Sequence, residues 1–241
     1  MLIGISCALL FVLCWGEALS KCTLAGLGTK LDVDKFNVHH RYENLYCDIL
    51  SPFKHIGNFS MLEIGLGCGH YTSCPRSAPL WKTFFPHVDY HAIDYVDGDQ
   101  NAVYKRCMEN LKREFPDVSL DLTGRVFFGD QADRTFLRRV VAETVQKTNK
   151  KFQLIIDDGG HRAVQEIISF QELWPYLADG GIYIVEDLQA DDGFPRAVAN
   201  WMFLIAGSYS TSMSENSPNF GGQHSHDIVI ITCACDINLY V

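Results

Sequence analysis

Ser60-Met61-Leu62-Glu63-Ile64-Gly65-Leu66-Gly67-Cys68-Gly69 is the stretch on which the fold turns. Its first half, Ser60–Ile64, is a nearly continuous apolar run of strand length. Its second half sets glycine at every second position, which lets a backbone bend sharply and approach a ligand closely. Alone, that pattern also fits a tight strand-to-helix turn that holds no ligand. Dinucleotide-binding turns usually read GxGxxG. Here the last glycine comes one position earlier, and an acid, Glu63, precedes the turn. A carboxylate at the strand end suits a cationic or amine-bearing ligand better than a pyrophosphate.

Outward from this turn, apolar runs alternate with helical patterns. The runs are Ser60–Ile64, Asp89–Asp94, Arg125–Phe128, Phe152–Asp157, Gly181–Glu186 and Asp227–Thr232. Nearly continuous apolar runs mark strands buried on both faces of a parallel sheet. Between them, Gln100–Glu114, Gln131–Thr148 and Arg162–Leu177 space their apolar residues at the helical period. The expected fold is therefore α/β: a doubly wound, mostly parallel, Rossmann-like sheet of seven strands. Ser208–His226 reads as a long polar loop with room for a strand. Ligands in such sheets bind beyond the carboxyl ends of the strands, so functional residues should follow the runs.

The 241 residues suffice for one main domain. The net charge of −9 argues against nucleic acid as a partner, because phosphate binding needs a basic face. Residues 1–20 open with an apolar run shorter than the ~20 residues of a membrane span, and Ala18-Leu19-Ser20 supplies small residues two apart. We expect a signal peptide, with a retained endomembrane anchor as the alternative, and hence a secretory-pathway or secreted protein with no span after cleavage. An N-terminal segment over 21–58 then leads into the main domain, 59–241. Of nine cysteines, Cys7 and Cys14 leave with the signal. The seven that remain cannot all pair within one chain. A Cys22–Cys47 disulfide is one possibility, and without a CxxC pair a structural zinc site is not expected.

Each strand end carries candidate chemistry. Asp94 follows the second run and can accept both hydroxyls of a ribose; a cap or loop aspartate is the bland alternative. Asp130 and Gln131 follow the third and are placed to hydrogen-bond an adenine amine, although Asp130 could equally cap the next helix. The fourth run ends in Asp157-Asp158-Gly159-Gly160-His161 and the fifth in Glu186-Asp187. So many carboxylates in one cleft are unfavourable unless something positive joins them. Oxygen-rich sites of this kind suit Mg²⁺, Mn²⁺ or Ca²⁺ rather than zinc. His224 and His226 beside Asp227 read as a solvated loop in preference to a second metal site.

Taken together, these segments resemble the class I methyltransferases of the macrocin and mycinamicin O-methyltransferase type. The resemblance spans roughly residues 28–235 and rests on Asp34-Lys35, His40 and Tyr42, Leu62-Glu63-Ile64-Gly65, Pro79–Pro86, Ala92-Ile93-Asp94, Gly129-Asp130-Gln131, Ile156–His161, Ser169-Phe170, Leu173–Leu177 and Gly180–Leu188. It implies a metal-dependent O-methyltransferase. Asp158, Glu186 and Asp187 would hold Mg²⁺, and His161 would be the general base. Glu63, Gly65, Gly67, Gly69, Asp94, Asp130, Gln131 and Asp157 would face S-adenosylmethionine. Asp34, Lys35, His40 and Tyr42 would form a lid over it. The acceptor would be a sugar or another small molecule bearing a diol, and a homo-oligomer is compatible with the fold. The chain departs from the family pattern at Gly160, where serine is usual, and in its export signal. Two competing readings are a nicotinamide-dependent oxidoreductase, disfavoured by GxGxG and the acid cluster, and a non-catalytic secreted protein that keeps the fold.

Overall fold

All five residues of β1 (Ser60–Ile64) are buried in the computed structural model, which describes residues 23–36, 42–68, 75–118, 120–188 and 227–232. Before β1 come α1 (Leu24–Leu31), a 3-10 turn at Asp34–Phe36 and α2 (Glu43–Leu50). After it follow α3 (Ser77–Phe84), β2 (Asp89–Asp94), α4 (Gln100–Glu114), β3 (Val126–Phe128), α5 (Arg134–Val141), β4 (Phe152–Asp157), α6 (Ala163–Leu173), β5 (Leu177–Leu188) and β6 (Asp227–Thr232). The strand order is β3-β2-β1-β4-β5-β6. The first five strands are parallel, and β6 pairs antiparallel with β5.

Side chains alternate across the sheet with period two, which divides the core into two layers. Met61, Leu154, Ile156, Ile182 and Ile184 pack on one face with Leu24, Tyr46, Trp81 and Leu111. Leu62, Ile64, Ile155, Tyr183 and Val185 pack on the other with Leu137, Val140 and Phe170. The N-terminal helices thus share the first layer. The order reverses between β1 and β4, and that switch point fixes where a ligand cleft opens.

The doubly wound parallel plan is as expected, with six strands among the described residues. Ser208–His226, with its room for another strand, lies outside them, as do residues 1–20 and the His224–His226 pair. No helix among the described residues is long and apolar enough to cross a membrane. Two helix boundaries differ from expectation for local reasons. The helix expected from Gln131 begins at Arg134, because Asp133 is its cap and accepts from the Thr135 and Phe136 N–H groups. It then loosens into a π-turn at Ala142–Gln146. The helix expected to reach Leu177 ends at Leu173, and Pro175 directs the chain into a 3-10 turn.

A disulfide not foreseen from the sequence joins Cys68 to Cys107 across 39 residues. It ties the glycine turn to the buried face of α4. Cys47 is disulfide-bonded as well; Cys22, one possible partner for it, lies outside the described residues. Replacing Cys68 and Cys107 together by alanine should cost about 4 kcal/mol, the chain-entropy value for a loop of that length. A non-reducing thermal melt reads this as a lowered Tm, and an unchanged Tm would show the bond to be idle.

Candidate functional site

The glycine turn is shaped first by its own neighbours. Gly65 has φ +94° and Gly67 +83°, a region that side chains other than glycine rarely tolerate. A Cβ on Gly65 would run into the carbonyl oxygen of Asp158. Gly65 N–H donates to the Ile93 carbonyl at 2.9 Å, and Asp158 N–H to the Ile64 carbonyl at 2.9 Å. The ends of β1, β2 and β4 are thereby drawn together. Asp94 Oδ1 accepts from Gly67 N–H at 3.2 Å and from Tyr95 N–H at 3.1 Å.

A cavity of about 780 Å³ opens at this junction, at the carboxyl ends of the strands. That volume suits a nucleotide-sized ligand. Gly65, Gly67, Asp94, Asp130 and Gln131 line one part of it, and Lys35, Asp158, His161 and Asp187 line another. Glu63, Asp157, Glu186 and Tyr42 are not among the lining residues. Gly69 and His40 lie outside the described residues. Asp34 belongs to the 3-10 turn.

Glu63 lies on the Met61 side of the sheet, fully buried. Its Oε1 accepts from Trp81 Nε1 at 3.1 Å, and its Oε2 from Ser77 Oγ at 3.0 Å and from the Tyr90 hydroxyl. The alternation that makes β1 a good strand therefore turns this acid toward α3. Burial raises its carboxyl pKa, against the pull of Lys35 and its hydrogen bonds.

Gln131, expected to meet a ligand, is committed to the protein. Its Nε2 donates to Asp157 at 3.0 Å and to Ser169 Oγ at 3.0 Å, and its Oε1 accepts from Gly160 N–H at 2.8 Å. It therefore braces the Asp157–Gly160 loop while showing one surface to the cavity. Burial pushes the Asp157 carboxyl up to about 6, opposed by the hydrogen bonds from Gln131 and Ser169.

At the far end stands the acid cluster. Asp158, His161 and Asp187 each offer one ligand atom, all within 4.8 Å of one another. His161 and Asp187 both have positive φ, +53° and +52°, a conformation that strains non-glycine residues and concentrates at functional sites. His161 Nε2 lies 3.9 Å from Asp158 Oδ1. Glu186 is buried, and its two oxygens are engaged elsewhere: Oε2 accepts from Lys35 Nζ at 2.8 Å, Oε1 from the Tyr46 hydroxyl. Lys35 Nζ also donates to Asp158 Oδ2, and the Tyr42 hydroxyl to Asp187 Oδ1 at 2.7 Å. Burial by itself would lower the Lys35 pKa, but the charges of Asp158, Glu186 and Glu63 hold it well above its ordinary value. Burial raises the Glu186 carboxyl against the opposing pull of Lys35.

Other cavity residues were not anticipated. Tyr95 directly follows Asp94, lines the cavity and is half exposed, so an aromatic face is available to a ligand. Arg76, Ser77, Arg162 and Gln165 also line it. Adjacency was the sequence signal for two of them, Tyr95 to Asp94 and Arg162 to His161; Arg76, Ser77 and Gln165 carried none.

No protein-family model matches the chain. Among curated proteins it is similar to the 8-demethyl-8-(2-methoxy-alpha-L-rhamnosyl)-tetracenomycin-C 3'-O-methyltransferase of Streptomyces olivaceus, at 29% identity over 68% of this chain and 36% of the relative. It is likewise similar to the mycinamicin VI 2''-O-methyltransferase of Micromonospora griseorubida, at 27% over 70% of this chain and 36% of the relative. The chain spans little more than a third of the length of these relatives. Among solved structures it resembles the MycE methyltransferase of the mycinamycin biosynthetic pathway, in complex with Mg, SAH and mycinamycin VI. The TM-score is 0.62 and the identity 21%, over 91% of this chain and 55% of that one. The fold is thus that of the Rossmann-like methyltransferases, and the resemblance to the macrocin and mycinamicin type extends to curated sugar O-methyltransferases.

Gln131→Leu should leave the buried Asp157 carboxylate short of a donor and free the Gly160 N–H from its partner. A loss of about 2 kcal/mol is expected in urea denaturation. A neutral result would remove Gln131 from its bracing role.

Proposed function

We propose that the chain is an S-adenosylmethionine-dependent O-methyltransferase that acts on a hydroxyl of a sugar or other diol-bearing small molecule, with Mg²⁺ at its acid cluster. The observation that carries this reading is the composition of the cavity at the strand ends. The glycine turn, Asp94 and Tyr95 line it with features suited to a nucleoside, and Asp158, His161 and Asp187 line it with features suited to a hard cation and a proton acceptor. The named activities of the curated relatives support the same reading, as does the MycE complex with Mg and SAH.

Each residue then has a distinct task. The carboxylate of Asp94 would accept the ribose hydroxyls, with the glycine turn and Asp130 alongside, and the ring of Tyr95 would cover the base. Asp158 and Asp187 would hold the divalent ion, with Glu186 joining them when its present partners release it. When bound, Mg²⁺ supplies charge that lowers the pKa of an acceptor hydroxyl. His161 would take the proton from that hydroxyl as its oxygen forms a bond to the methyl carbon. S-adenosylmethionine, when bound, would supply that methyl group and keep the electrons of the broken carbon–sulfur bond as a neutral thioether. The acidity of the cleft favours both a sulfonium and a divalent cation. The Cys68–Cys107 disulfide supports an oxidising compartment such as the secretory pathway.

Calorimetric titration with S-adenosylhomocysteine should show binding, and its absence with and without Mg²⁺ would defeat the reading. His161→Ala should keep that binding while losing roughly 10²–10⁴-fold in transfer, the usual contribution of a general base. Lost cofactor affinity in this variant would reassign His161 to binding.

A further inference from the structure

The N-terminal segment places a cation where the acid cluster needs one. Lys35 is only 2% exposed. Its Nζ reaches both Asp158 Oδ2 and Glu186 Oε2. Those are two of the three acids that the methyltransferase resemblance assigns to a metal. The third, Asp187, accepts from the Tyr42 hydroxyl, and Glu186 also accepts from the Tyr46 hydroxyl. All three acids are therefore held by the stretch from Lys35 to Tyr46.

A lone ammonium balances one of three carboxylates. A divalent ion among them would match the remaining charge better, yet it would stand within a few ångströms of the Lys35 ammonium. Like charges so close repel strongly at the dielectric of a partly buried site. Each oxygen of Glu186 in addition already accepts a hydrogen bond, one from Lys35 and one from Tyr46, so an ion would compete with those donors for it.

We propose that Lys35 is an internal latch that competes with a divalent cation for Asp158 and Glu186. Occupancy of the acid cluster by the ion and docking of the Lys35 turn exclude each other. In the docked state the ammonium substitutes for the ion and the N-terminal segment is closed on the sheet. When the ion enters, Glu186 and Asp158 turn to it and the Asp34–Phe36 turn is released. This proposal rests on the metal site assigned under the proposed function.

Linkage makes the coupling reciprocal, so it can be measured from both sides without assaying transfer. Calorimetric titration of Mn²⁺ into wild type and Lys35→Met should give a dissociation constant about tenfold lower, or lower still, in the variant. In wild-type protein, hydrogen exchange followed by mass spectrometry should show faster exchange across residues 24–36 with Mg²⁺ than with KCl of equal ionic strength. The second measurement uses the unaltered chain and stands even if Lys35→Met does not fold. Mn²⁺ binding of equal affinity in the two proteins, or Mn²⁺ binding by the wild type with exchange unchanged or slowed by Mg²⁺, overturns the latch and leaves the metal site standing. No Mn²⁺ binding by either protein, with exchange indifferent to Mg²⁺, overturns both.

Discussion

Several carboxylates at the ends of two adjacent central strands cannot share a buried place without positive charge and hydrogen-bond donors. Asp158 follows β4 there, and β5 delivers Glu186 and Asp187; Asp157, the last residue of β4, is held apart from them by Gln131 and Tyr183. The structure meets the demand with Lys35 and with the hydroxyls of Tyr42 and Tyr46. Breaking a buried pair of this kind by removing one partner typically costs about 3–5 kcal/mol, because the other charge is left uncompensated. The N-terminal segment is thus fastened to the sheet by the chemistry of the site as well as by apolar packing. Leu24, Leu31, Tyr42 and Tyr46 contribute the packing, in one layer with Trp81.

A second constraint is the close approach of two chain segments. Gly65 leaves no room for a side chain because the Asp158 carbonyl occupies it. The conformation of the glycine turn and the position of the metal-type acids are therefore one geometric fact. Gln131 extends the arrangement, since it holds Asp157 on one side and Gly160 N–H on the other. A ligand at the turn and an ion at the acids would meet on a surface whose two halves share a backbone contact.

The sheet was legible because burial on both faces writes continuous apolar runs. β1, β2, β4 and β6 have the limits expected from the sequence. The place of the cavity was legible too, since parallel strands bring their carboxyl ends together. What each acid does was less so. Glu63 precedes the turn and reads as a ligand group, yet strand alternation sends it toward Trp81 and Tyr90. Gln131 reads as an adenine contact, yet its amide is engaged by Asp157, Ser169 and Gly160. In both cases the sequence shows the residue at the site while the direction of its side chain depends on packing partners far along the chain. The same holds for Lys35, which meets acids 123 and 151 residues away. Sequence reading asked for a positive partner for the acids without finding it in this lysine.

Cys68 comes directly after Gly67, so the bond to Cys107 makes the shape of the turn conditional on thiol chemistry. A newly made chain carries both sulfurs as thiols. The turn then depends on noncovalent contacts such as that of Gly67 N–H with Asp94. Oxidation is in that sense a step in the shaping of the turn itself, and surroundings that keep thiols reduced would leave that shaping to the noncovalent contacts alone.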